Sequence, residues 1–132
     1  MPAFLVLLRA DSAGYATLTP SEFAALAAKF DAWAAPLLAE GRFLGGLKLR
    51  SDGARTLSRE GEVITVKDGP FGETKEVIGG YHLILADDFD HAARLCRGHP
   101  NVELLGGSLE LRGLADREIS TARVESAPPG SS

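Results

Sequence analysis

Residues 4–8 are apolar at both parities, the pattern of a strand whose two faces are both covered. A polar stretch then leads to Thr19-Pro20-Ser21-Glu22, which has the composition of a helix start. Thr19 can cap, Pro20 suits the first turn, and Glu22 stands where it can close a capping box. Phe23, Leu26, Ala27, Phe30, Trp33, Ala34, Leu37 and Leu38 follow at helical spacing and form one apolar face. Pro36 interrupts that face. It lacks a backbone donor and crowds the carbonyl of Ala32, so a kink or an early end is expected there. Gly41 supplies the stop.

Residues 42–49 read as a strand, and 54–58 with 62–67 as a hairpin turning at Arg59-Glu60-Gly61. After a loop rich in glycine and charge, residues 81–86 form another strand that is apolar at both parities. Asp87 or Asp88 caps a second helix, whose inward face is Ala92, Ala93, Leu95 and Cys96 and which ends at Gly98 ahead of Pro100. Residues 103–111 read as the last strand. Leu44-Gly45-Gly46-Leu47 after the first helix is echoed by Leu105-Gly106-Gly107-Ser108 after the second. Each pair belongs to the third element of a strand–helix–strand unit. Two βαβ halves joined by a hairpin predict an α+β, ferredoxin-like subunit with a mainly antiparallel sheet. Paired glycines within a strand mark a bulge or a close backbone approach. Residues 1–112 make up this domain and 113–132 a C-terminal extension whose distal part, ending Pro128-Pro129-Gly130, reads as a flexible tail.

Two helices can cover only one face of such a sheet, yet its strands carry apolar side chains on both. A second copy packed sheet against sheet resolves this, and at ~25 cal/mol per Å² an interface of ~800 Å² per partner has ample driving force. A homodimer enclosing a central space is therefore expected; the alternative is that the hairpin or the tail covers the bare face.

Composition narrows the partners. The 132 residues carry a net charge of −4 and no basic cluster, which argues against nucleic acid and anionic membranes. The apolar N-terminus is short and runs into Arg9, so it reads as a strand rather than a leader, and no run approaches the ~20 apolar residues of a membrane span. A single cysteine, Cys96, fits a reducing cytoplasm.

Asp68-Gly69-Pro70-Phe71, continued by Glu73-Thr74-Lys75-Glu76 and Gly79-Gly80-Tyr81, packs turn glycines, a proline, an aromatic and charged groups between two strands. With Leu18-Thr19-Pro20, Gly45-Gly46, Asp87-Asp88 and His99-Pro100, this ordered set closely resembles the YCII-related, or DGPF-domain, family. The resemblance implies a dimeric α/β barrel of ferredoxin-like subunits. It further implies an association of some members with sigma factors of the extracytoplasmic-function type, and lyase activity on small aromatic compounds in a few. The chain departs from the common pattern at Pro36 and at His82, where an aromatic is more usual.

The candidate chemistry is sparse. Asp68 can accept backbone N–H bonds of its turn, or act as a general base at the mouth of a dimer cavity. Phe71 is a core plug or a ligand platform. Glu73 and Lys75 form a solvated pair or, turned inward, hold an anion and move a proton. Alternation puts His82 with Ile84 and Ala86 on one face and Tyr81 with Leu83 and Leu85 on the other. If the first of these is the sheet–sheet face, an imidazole with an ordinary pKa of about 6.5 lies in the cavity. Arg9 and Arg50, at strand ends, can grip a carboxylate or serve as plain edge charges. His91, His99 and Cys96 form no metal-ligand spacing, and no nucleotide loop or nucleophile motif occurs, so no cofactor or metal is expected. The sequence thus reads as a small-molecule-binding homodimer. An anionic or phenolic ligand suits it, with lyase- or isomerase-type chemistry at His82 and Asp68; a non-catalytic module tied to a sigma factor is the alternative.

Overall fold

A computed structural model describes residues 2–11, 18–50, 53–69 and 76–115. Its strands are β1 (Ala3–Asp11), β2 (Phe43–Lys48), β3 (Arg55–Glu60), β4 (Val63–Asp68), β5 (Glu76–Leu85) and β6 (Ser108–Gly113). Its helices are α1 (Pro20–Ala39), α2 (Phe89–Cys96) and the short α3 (Pro100–Glu103). The main sheet has the order β2-β5-β1-β6, with every neighbouring pair antiparallel, while β3 and β4 form a separate two-stranded sheet. β1 and β2 flank β5, and β5 and β6 flank β1, so the two βαβ halves interleave into one α+β layer pair.

The first helix starts as its sequence requires. Thr19 Oγ1 accepts the Glu22 N–H at 3.2 Å, and the Glu22 carboxylate accepts the Thr19 N–H at 3.2 Å. The early end entertained at Pro36 does not occur: α1 runs through Pro36 to Ala39 and stops at Gly41. The missing donor of Pro36 falls in the last turn, which is held from beyond. Gly41, at φ +71°, donates to Leu38 O, and Arg42 donates to Leu37 O at 2.7 Å, the paired bonds of a Schellman ending. Buried Leu37 anchors the same turn.

The third region also differs. Residues 100–103 are helical and the last strand begins only at Ser108, because His99 caps α3 and Pro100 fits its first turn. β5 reaches back to Glu76, five residues before the expected start, and the hairpin turns at Gly61-Glu62 with Gly61 at φ +62°.

Along β1, Phe4, Val6, Leu8 and Ala10 are buried, whereas Ala3, Leu5, Leu7 and Arg9 are partly exposed. Phe4, Val6 and Leu8 meet Ile84, Ala86, Ala92 and Cys96, with Phe30, Trp33 and Phe43 packed against them. Trp33 Nε1 donates to Leu95 O at 3.0 Å and ties α1 to α2. Only one face is therefore deeply covered by the described helices. On the other, Leu47 is 69% exposed. The hairpin does not supply the cover, since its own Leu57, Val63, Ile64 and Val66 stay 58–65% exposed. Among the described residues, no helix is long and apolar enough to cross a membrane.

Candidate functional site

The end of the sheet formed by β2 and β5 is floored with glycine on the side facing α1. Gly46 lies opposite His82, and Gly80 opposite Lys48 and Leu8. A Cβ on Gly46 would strike the Tyr81 carbonyl and sit 2.9 Å from His82 Cα; one on Gly80 would stand 3.1 Å from Leu47 O. Gly45, at φ +128°, carries the bulge that shifts the β2–β5 register. The backbones can thus approach closely only without side chains at these two positions. The result is a cavity of about 510 Å³ between α1 and the sheet. Leu26, Phe30 and Ala34 roof it, while Leu8, Phe43 and His82 line its inner wall. Exposed Asp31 and Lys48 also line it, and Lys48 Nζ lies 4.3 Å from the Phe23 ring centroid. A mainly apolar cleft of this size with few polar groups is the usual form of a small-molecule site.

One polar chain enters this wall. The His82 and His99 Nε2 atoms are 3.0 Å apart, and His99 Nδ1 accepts the Asn101 N–H at 3.0 Å. Asn101 Nδ2 in turn donates to Arg9 O and Ser108 O at 3.1 and 2.9 Å. His99 and Asn101 are fully buried. These bonds fix the tautomers, because a neutral imidazole has one donor and one acceptor nitrogen. His99 accepts at Nδ1, so its proton is on Nε2 and is given to His82 Nε2. His82 then carries its proton on Nδ1, a buried atom with no hydrogen-bond partner. An unpaired buried donor costs about 1–3 kcal/mol, so this atom needs an explanation.

Burial favours the neutral form of both rings. Burial and the adjoining His82 lower the His99 pKa to about 3, and burial lowers that of His82. Aromatic rings enclose them: Trp33 is centred 4.5 Å from His99 and 5.4 Å from His82, and Phe43 5.3 Å from His82.

The sequence candidates are dispersed by the fold. His82 pairs with Val6 and so points toward the helices, not toward the opposite face where a second sheet would lie. Its one free nitrogen is a donor, so the arrangement offers a hydrogen bond rather than a base. Asp68 ends β4 on the separate hairpin, with its side chain 87% exposed and 3.0 Å from Arg55, and it does not line the cavity. Arg9 lies on the second face, 3.3 Å from Glu110 Oε1. Exposed Arg50 follows β2 and is likewise absent from the lining. Phe71, Glu73 and Lys75 fall outside the described residues. His91 Nδ1 accepts the Asp87 N–H at 2.9 Å at the start of α2. Burial raises the Cys96 thiol to about 11, which leaves it unreactive. Among the described residues no cluster of three or more His, Cys, Asp or Glu side chains could hold a metal.

Sequence reasoning weighed His99 only for metal ligation and gave Asn101 no role. The available signal was His99-Pro100, a capping residue ahead of a proline suited to a first helical turn.

Comparison with known proteins agrees with the motif. Over 62 residues the chain is 40% identical to an uncharacterized protein of Rhizobium meliloti (strain 1021), a match spanning 47% of this chain and 50% of the relative. This chain thus spans about half the length of that curated relative. The YCII-related domain matches residues 3–116, nearly the whole described fold. The chain belongs to the YCII-related domain family.

Proposed function

We propose that this protein binds a small, largely apolar molecule in the cavity between α1 and the β2–β5 end of the sheet. The observation that carries this reading is the glycine floor, which leaves about 510 Å³ unfilled beside His82 where a core would otherwise close. Binding is favoured over a lyase- or isomerase-type reaction, because His82 has no free lone pair to take a proton and Asp68 stands on the hairpin. In the same proposal the second face of the sheet meets that of another copy, giving the dimeric α/β barrel. Support comes from Leu5, Leu7, Tyr81 and Leu83, half-buried on that face, and from exposed Leu47 beside them.

A thermal-shift screen of small aromatic and alicyclic compounds tests the binding, with Ala27→Phe as the control that fills the cavity from α1. Hits are expected to raise the Tm of the native protein and to have no effect on the filled variant. Equal shifts in both proteins would place the ligand elsewhere. Sedimentation tests the dimer, and a stable monomer at micromolar concentration would remove it.

A further inference from the structure

The unpartnered Nδ1 of His82 is buried. A Cβ on Gly46 would stand 2.9 Å from this Nδ1, so the atom abuts the edge strand β2 at the point of its bulge. Gly46 and His82 both line the cavity. β2 ends the sheet order and has one strand neighbour, β5. A ligand can reach that N–H only if β2 moves outward at Gly45-Gly46, where glycines ease the backbone change.

Resting on the binding reading above, we infer that the cavity selects ligands bearing a hydrogen-bond-accepting oxygen, a carbonyl or carboxylate, which receives the His82 Nδ1–H. The polarity is set by the chain from the Asn101 N–H through His99 to His82. Every bond in it points the same way, so His82 presents a donor and cannot turn to accept. A group whose only polar atoms are donors leaves that N–H unpaired and meets it with its own hydrogens. An apolar group of the same shape leaves the N–H as unpaired as it is without ligand. Only a hydrogen-bond acceptor removes the deficit, which makes the acceptor, here a carbonyl or carboxylate oxygen, and not the hydrocarbon the selective feature. His82 is a binding residue in this scheme. His99 and Asn101 are positioning residues that act through it.

The test uses three probes of nearly one shape: acetophenone, α-methylstyrene, in which a methylene replaces the oxygen, and 1-phenylethylamine, which at neutral pH is the ammonium and can only donate. Affinities are measured by titration, and long-range ¹H–¹⁵N NMR of the histidine rings reports the tautomers of the native protein. Acetophenone is expected to bind about tenfold more tightly than α-methylstyrene and to move the His82 Nδ1 resonance, with the amine weakest. In His82→Phe the preference for acetophenone should vanish while α-methylstyrene still binds. Equal affinities with His82 unmoved would overturn the selectivity and leave the cavity standing. A proton on His82 Nε2 in the free protein would overturn it from the native protein alone. Failure of all three probes to bind would overturn the cavity reading and the selectivity with it.

Discussion

Acid should destabilise this protein through His99. The perturbation is a change from about pH 7 to about pH 5, across the ordinary histidine value of 6.5 but well above the folded value of about 3. In the unfolded chain His99 goes from roughly a quarter protonated to almost fully protonated over that interval, while in the fold it stays neutral. The unfolded state gains the proton, so stability is full above 6.5 and is lost as the pH falls below it toward 3. Integration gives a loss of about 2 kcal/mol from His99 alone. His82, whose pKa burial also lowers, adds to the loss with the same sign. With a urea dependence of roughly 2 kcal/mol per molar, the midpoint should fall by about 1 M. Urea unfolding at both pH values, on the native protein and on His99→Gln, is the assay. The native protein should lose about 2 kcal/mol more than the variant over the interval. Equal losses would refute the claim that His99 is buried and neutral.

Other substitutions probe the frame of the site. Gly46→Ala should destabilise by about 1–3 kcal/mol in chemical denaturation, because the new methyl meets the Tyr81 carbonyl and His82 backbone rather than a yielding side chain. Thr19→Ala removes one half of the capping box and should cost about 1 kcal/mol, read as a lower Tm. Asp68→Ala should change stability by less than about 0.5 kcal/mol, since its pair with Arg55 is exposed. A large loss of Tm in that variant would restore Asp68 to a structural role.

Local signals were strong in the sequence where one residue type answers one backbone need. Thr19, Pro20 and Glu22 mark the start of α1, Asp88 caps α2, and Gly41 closes α1, each through bonds made within a few residues. The interleaved sheet followed from two βαβ halves, and the Gly45-Gly46 pair proved to be both a bulge and a close approach. The site was less legible because its members meet only in three dimensions. His82 pointed to the helix layer because its partner across the ladder is Val6, a register that alternation alone leaves open. His99 met it across 17 positions only once Pro100 had started a short helix where a turn was expected. The loop that best identified the family contributes no described residue to the cavity beyond Gly79, Gly80 and Tyr81. Its specificity marks the fold, while the space itself is encoded by residues that are absent as side chains.

The most direct measurement is a crystal structure of the protein soaked with acetophenone. The account predicts ligand density between Phe30 and the glycine floor, with the ketone oxygen within hydrogen-bond distance of His82 Nδ1. A helix α1 settled onto Gly46 and Gly80, with no space between them and the ligand absent or bound elsewhere, would contradict it.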